Sequence, residues 1–299
     1  MKYNSLVSVI MSAYNENEEW VKKAIESILN QSYSNLEFFI ILDNPDNISL
    51  DKLILKYVKR DERIIYIKNH KNEGLVNSLN KGIIQAKGDF IVRMDADDIS
   101  FKDRVEKQVR FMHEHQEIAL LCTKAIFINE AGVEIGESRE YKDVDVLKNC
   151  LKYKNDVVHP TWIMRAKTLK SKEINGYRNI PYAEDYDLLC RLLLNDFRVY
   201  QLRESTLHYR IRSNGITQSK IYDQIKVASY ISKMYKDKKE NVKAVEEIQS
   251  ILNEKESFIV RRLRRKKVSK LRIYIFKIFN KYGRKILLNT FVCRFKYNI

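Results

Sequence analysis

The first hundred residues alternate short apolar runs with segments whose apolar residues recur at helical spacing. No other feature constrains the fold as much. Leu6-Val7-Ser8-Val9-Ile10-Met11 reads as a strand, and Trp20, Val21, Ala24, Ile25, Ile28 and Leu29 then share one helical face. Leu36 to Leu42 is a second strand and Leu50 to Val58 a second helix; Ile64 to Ile67 and Leu75 to Ala86 repeat the pair. After the turn Gly88-Asp89, Phe90-Ile91-Val92 is a fourth strand. Short apolar runs bounded by charge or turn residues read as buried strands. Strands separated by single helices imply a parallel sheet with right-handed crossovers. The C-terminal ends of these strands would collect Ser12, Asp43, Lys68 and Asp95 to Asp98 at one rim, where open α/β sheets bind ligands.

The alternation loosens afterwards. Lys102 to His115 is an amphipathic helix, Leu120 to Phe127 and Val133 to Ser138 suggest a hairpin, and Val157 to Met164 suggests a strand. Asp185 to Leu194 is a helix, Thr206 to Ile211 closes the globular part, and Lys220 to Lys255 is helical and polar. The expected class is α/β, a mostly parallel sheet flanked by helices with a helical basic C-terminal extension. With 8 Gly and 3 Pro in 299 residues, long flexible linkers are not expected. Cys122, Cys150, Cys190 and Cys293 are far apart and read as core thiols of a reducing compartment. Leu6 to Met11 is too short for a secretory leader, and no apolar run approaches the ~20 residues of a membrane-spanning helix.

The net charge of +16 is unevenly spread. Residues 258–299 hold 14 Lys and Arg and no acid, whereas the rest holds 41 basic and 39 acidic residues. Leu271, Ile275, Ile278, Phe279, Tyr282 and Ile286 share one helical face of this tail, opposite Lys270, Lys277, Lys281 and Arg284. A basic amphipathic helix of this kind suits an anionic membrane surface. Nucleic-acid binding is not expected, because no recognition fold accompanies the charge. A helix packed on the body with solvated charges is the other reading. The expected organisation is a catalytic domain over 1–219, a helical extension over 220–257 and a membrane-association segment over 258–299.

Arg93-Met94-Asp95-Ala96-Asp97-Asp98 places three carboxylates within four positions at the end of the fourth strand. Two Asp one residue apart on a tight turn can both face a hard cation, which takes oxygen ligands and bridges a carboxylate to a diphosphate. Taken alone, the segment reads more readily as a solvated acidic turn that caps the next helix. No Gly-rich phosphate loop follows the first strand: Ala13-Tyr14-Asn15-Glu16-Asn17-Glu18 is neither a Walker loop nor a dinucleotide fingerprint.

Several segments together resemble family 2 glycosyltransferases with the GT-A fold. They are Val7 to Asn15, Ser27-Ile28-Leu29-Asn30-Gln31-Ser32-Tyr33, and Asn72-Glu73-Gly74-Leu75 with Leu79-Asn80-Lys81-Gly82 and Ala86-Lys87-Gly88. Arg93 to Asp98 is similar to the metal motif of that family, and Ala183-Glu184-Asp185-Tyr186-Asp187 to its catalytic Glu-Asp segment. The likeness spans roughly residues 6 to 215. The chain departs from it at Ser12, where Pro is frequent, and at Asp43-Asn44-Pro45-Asp46, which stands for Asp-Asp-Gly-Ser. It departs again at Tyr209-Arg210-Ile211-Arg212, which carries Arg where many relatives have His.

The resemblance implies that a nucleoside diphosphate leaves an anomeric carbon as an acceptor hydroxyl attacks with inversion. It implies Asp97 as the main ligand of a manganese or magnesium ion (Mn2+ or Mg2+), Asp95 near the ribose and diphosphate, and Asp185 as the base. It implies donor contacts from Ser12, Ala13 and Tyr14 along the nucleobase, and from Asp43 to a uracil imide, consistent with a UDP donor. Lys81, Arg93, Ala96, Glu184 and Arg212 complete the donor set, with His208 as a displaced candidate metal ligand. The implied acceptor is a glycan or lipid-linked glycan of a surface polysaccharide such as capsule or O-antigen, at the cytoplasmic face of the inner membrane. Two other readings fit parts of the pattern: a nucleotidyltransferase, and a basic membrane- or nucleic-acid-binding protein with an idle site.

Overall fold

The structure is a computed structural model and describes residues 3–141, 143–212, 220–238 and 243–253; the basic tail lies outside the described residues. Packing divides the chain into two compact units. The first takes Met1–Tyr141, Val157–Tyr177 and Phe197–Ile211; the second takes Lys142–Asp156, Arg178–Asp196 and the described part of Arg212–Ile299. This division does not follow sequence order. Each unit is described by itself.

The first unit holds a nine-stranded mixed sheet. Its first half comprises β1 (Val7–Ala13), β2 (Leu36–Leu42), β3 (Ile64–Lys68) and β4 (Phe90–Asp95), in the order β3-β2-β1-β4 and all parallel. Helices α1 (Glu18–Leu29), α2 (Ile48–Val58) and α3 (Leu75–Gln85) connect them. α1 starts where Asn17 accepts from the Glu19 N–H, and α2 where Asn47 accepts from the Leu50 N–H. These caps satisfy otherwise orphaned helix donors. Side chains alternate across the sheet. Val7, Val9 and Met11 join one core with Val21, Ala24, Ile25 and Ile28 of α1 and Leu50 and Ile54 of α2. Ile10 faces the other way, onto α3. A Cβ on Gly82 would lie 2.8 Å from Ile10 Cγ2, so only glycine lets α3 sit this close to β1. Gly88 is equally crowded: a Cβ there would lie 2.6 Å from Ser8 Oγ and 2.7 Å from the Leu6 carbonyl. Both glycines belong to the segments that carried the family resemblance.

β4 is longer than the apolar run Phe90-Ile91-Val92, because pairing with β1 continues to Ser12↔Asp95. The second half of the sheet is mixed. β5 (Ile99–Ser100), α4 (Arg104–Glu114), β6 (Ile118–Ile128) and β7 (Glu134–Glu137) follow, and β6 with β7 forms the expected hairpin. The strand expected over Val157 to Met164 is instead a 3-10 turn, His159–Thr161, followed by β8 (Ile163–Arg165). Pro160 sits in that turn, where it lacks an N–H for a ladder and its ring restricts φ. β8 joins β4 and β6, antiparallel to both. β9 (Arg198–Arg210) runs parallel to β6 over far more residues than Thr206 to Ile211. Its first half is polar, with Arg203 and Glu204 exposed, which hid the strand from an apolar pattern.

The second unit is helical among its described residues. It contains α5 (Val144–Leu151), α7 (Glu184–Leu194) and the helices Ile221–Lys236 and Ala244–Asn253; the short α6 (Ala166–Leu169) belongs to the first unit. No helix among the described residues is long and apolar enough to cross a membrane. Cys122, Cys150 and Cys190 are buried, and Cys293 lies outside the described residues.

Candidate active site

The strand register builds the rim. Ser12 pairs with Ile41 and Asp95, Ala13 with Leu42, and Leu42 with Lys68. The residues just past these ends, Tyr14, Asp43, Asn69 and Ala96 to Asp98, therefore share one edge of the sheet. Ala13 is buried and Tyr14 exposed. The loops after β1 and β2 are tied together: Asn15 Oδ1 accepts from Asn44 Nδ2 at 2.6 Å and from Asn47 Nδ2 at 3.2 Å.

Asp43 is buried and builds the loop into α3. Its carboxylate accepts from Asn69 Nδ2 at 2.8 Å and from the backbone N–H groups of Glu73 at 2.8 Å and Gly74 at 2.9 Å. Of the roughly four lone-pair sites on a carboxylate, three are already used. Lys81 is similarly engaged, donating to Asn69 Oδ1 at 2.6 Å and Glu73 Oε1 at 3.0 Å. Both residues stand at the rim, with scaffold duties that the sequence did not announce.

The acidic loop follows β4. The buried Arg93 side chain turns along its own strand, donating to the Asp95 carboxylate and the Met94 carbonyl. Asp95 keeps 29% of its side chain exposed, against 7% exposure for Asp97 and 1% for Asp98. Asp98 Oδ1 accepts from the Arg210 backbone N–H at 2.8 Å, while Oδ2 is buried without a hydrogen-bond partner. Burial, and then the neighbouring charges of Asp97 and Asp95, push the Asp98 carboxyl well above the usual carboxylate range. α4 begins only at Arg104, so Asp98 is not a first-turn acid of that helix.

Two arginines brace the loop, and neither was assigned a role from sequence. Arg104 is fully buried and donates to the Arg93 carbonyl at 2.9 Å and to Gln108 Oε1 at 3.2 Å. Burial pushes its guanidinium down to about 9. Arg210, at the end of β9, donates from Nε to the Asp97 carbonyl at 2.9 Å and from a terminal nitrogen to the carbonyls of Asn129 (3.0 Å) and Glu130 (3.2 Å). Its guanidinium carbon lies 4.9 Å from the centre of the Trp20 ring. The only sequence signal was an arginine at the end of a strand within Tyr209-Arg210-Ile211-Arg212.

Among the described residues, no group of three or more His, Cys, Asp and Glu side chains could hold a metal ion by itself. The donor set still fits Mg2+ or Mn2+. Hard cations of this type use one or two carboxylates plus substrate phosphate oxygens, not an all-protein cage. Asp97 and Asp95 supply two carboxylates on one loop. His208 is engaged elsewhere: Nε2 lies 3.3 Å from Glu134 Oε1, and its ring meets Phe101 edge-on at 4.7 Å.

His159 also belongs to the first unit. Its Nε2 is 2.7 Å from the Tyr177 hydroxyl and its ring meets Trp162 edge-on. Burial, with the Arg93 charge, holds it well below the usual imidazole range, so it is neutral. Trp162 in turn accepts on its carbonyl from the Arg93 N–H at 3.0 Å.

In the second unit, Glu184, Asp185 and Asp187 fill the first turn of α7, which no side chain caps. Acids there favour the positive helix end. Their environments differ. Asp187 is buried, accepting from Arg191 Nε at 2.8 Å and bonded to Arg178 through both carboxylate oxygens. Asp185 is only partly buried; its Oδ2 accepts from Asn155 Nδ2 at 2.9 Å and its Oδ1 from the Tyr186 N–H at 2.7 Å. Just upstream, Tyr182 has φ +66, a strained left-handed conformation for an aromatic residue. Arg212, half-buried, is in this unit too, just ahead of residues outside the description.

The fold is similar to that of a solved structure of S. aureus TarS 1–349 in complex with UDP-GlcNAc. The TM-score is 0.61 at 17% identity, over 98% of this chain and 91% of that one. The profile described as Glycosyl transferase family 2 matches residues 8–171, and the chain belongs to that family and is a glycosyltransferase. An uncharacterized glycosyltransferase of Methanocaldococcus jannaschii is 37% identical over 75% of this chain and 77% of its own length. The O-antigen biosynthesis glycosyltransferase WbnJ of Escherichia coli is 33% identical over 75% of this chain and 87% of its own length.

Proposed function

We propose that this glycosyltransferase moves a sugar from a UDP-sugar to a hydroxyl of a glycan or lipid-linked glycan in surface polysaccharide assembly, with inversion and with a divalent cation. The observation that carries the reading is the acidic loop Asp95–Asp98 at the C-terminal end of β4, in register with Ser12. The likeness to TarS bound to UDP-GlcNAc and to an O-antigen enzyme supports the donor and product class.

In this reading Asp97, with Asp95 beside it, would hold the Mn2+ or Mg2+. When bound, the cation would supply Lewis-acid stabilisation of the charge on the departing diphosphate. Ser12, Ala13 and Tyr14 line the nucleobase. Asp43 positions the loop into α3, and its remaining lone pair is available to a uracil imide. Lys81, Arg93, Ala96, Glu184 and Arg212 are donor-side residues. Asp185 takes the proton of the acceptor hydroxyl, and one base with direct attack gives inversion. Asn155 orients that carboxylate, and Asp187 holds the helix that carries it.

Screening nucleotide sugars for nucleoside diphosphate release, with Mn2+, Mg2+ or EDTA, tests the reading. UDP release that depends on acceptor and cation supports it. Pyrophosphate release would point to the nucleotidyltransferase reading. Proton NMR of the fresh product reports the anomeric configuration. The basic sequence of 258–299 supports contact with an anionic membrane on the cytoplasmic side. Truncation after Lys255 should shift the protein from membrane to supernatant; an unchanged distribution argues against that role.

A further inference from the structure

We propose that Arg210 is a positioning residue that sets the direction of the Asp97 carboxylate and thereby the cation-dependent part of donor binding. The proposal rests on the reading of Asp97 as the principal cation ligand. Arg210 reaches the loop at two consecutive residues. Its side-chain Nε donates to the Asp97 carbonyl at 2.9 Å, and its own backbone N–H donates to Asp98 Oδ1 at 2.8 Å. The peptide after Asp97 and the side chain of Asp98 are thus both held, and Ala96 is buried on the near side, so the backbone that carries the Asp97 side chain is fixed from both directions.

The same guanidinium anchors the loop to two further elements. It donates to the carbonyls of Asn129 and Glu130 in the turn between β6 and β7, and its face lies over Trp20 of α1. A planar fork does all of this at once, whereas a lysine ammonium keeps the charge over the ring but cannot serve carbonyls in three directions. Arg210 is only 4% exposed, so these bonds are made away from water, where geometry is held most firmly. Residues that orient a ligand without touching the ion typically change metal affinity by about 10- to 100-fold when altered.

The test compares UDP affinity by calorimetry in Mn2+ and in EDTA, for the full chain and its Arg210→Lys variant, with thermal melting alongside. The wild type is expected to bind UDP more tightly with Mn2+. Arg210→Lys is expected to lose that gain by about 10-fold or more, while its affinity in EDTA changes by less than about twofold and its melt stays cooperative. A merely structural role would lower the melting temperature and leave the gain of the folded molecules intact, and that result overturns the proposal. Should Arg210→Lys not fold, Trp20→Leu removes the ring beneath the guanidinium and no hydrogen bond of Arg210. A partial loss of the gain supports the proposal, and an unchanged gain overturns it. A wild type with no Mn2+-dependent gain refutes the cation reading itself, and this inference with it. A gain present in the wild type and intact in the variants refutes only the role of Arg210.

Discussion

The two acidic segments, Asp95 to Asp98 after β4 and Glu184 to Asp187 at the head of α7, look alike in sequence and are held differently. Each places one acid in the interior and leaves another partly open. In the helix segment the interior acid, Asp187, is paired with two guanidiniums, and Asp185 is only partly buried, accepting from Asn155 and from the Tyr186 N–H. In the loop segment the interior acid, Asp98, has one backbone donor and one oxygen with none, while Asp95 keeps an exposed edge. A satisfied buried ion pair is scaffold; an unsatisfied buried carboxylate is a cost that structures retain mostly at functional sites. In the helix segment, the acid gripped by two guanidiniums builds the structure, and its partly open neighbour Asp185 is left for chemistry.

The largest effects should come from the proposed cation ligand and the proposed base. Asp97→Ala and Asp185→Asn are each expected to lower kcat by about 10²- to 10⁴-fold with folding unchanged, read by UDP release and circular dichroism. Retained activity in both would mean the segments are decorative. Asp187→Asn should act on the fold instead. Leaving two arginines without their carboxylate is expected to cost about 3–5 kcal/mol, seen as a lower denaturation midpoint; full stability would remove the distinction between Asp185 and Asp187.

Asp98→Asn sharpens the comparison through pH. Burial raises the folded-state carboxyl above its unfolded value of 3.8, so the folded chain holds the proton longer than the unfolded one. The wild type therefore loses stability as pH rises above the unfolded value, until the folded carboxyl has also ionised. Asparagine keeps the acceptor for the Arg210 N–H and never ionises. Its melting temperature should exceed that of the wild type by about 2–4 °C near neutrality for each kcal/mol relieved, and the difference should vanish near pH 3. A variant less stable at neutral pH would show that the charge itself is needed. The smallest effect is expected from Asn155→Ala, which removes one hydrogen bond from Asp185: a loss in kcat of about 2- to 10-fold. No change at all would place Asn155 outside the site.

Much of this was legible in the residues. The βα alternation announced β1 to β4 and their rim because apolar periodicity is a local property. β9 was underestimated because its buried residues are interleaved with exposed polar ones, and Pro160 turned an expected strand into a 3-10 turn. Arg210 and Arg104 were invisible as functional residues. A lone arginine in a basic chain carries no signal until folding shows which carbonyls it reaches.

By itself, the sequence determined the fold class, the rim and the family, since hydrophobic periods and short motifs of fixed order are written along the chain. Only the tertiary structure decided how the acids divide. Asp98 is interior against Arg210 and Asp187 against Arg178 and Arg191, while Asp95 and Asp185 are only partly buried. Burial and pairing depend on residues distant in sequence, and a carboxylate shows its task only when its neighbours in space are known.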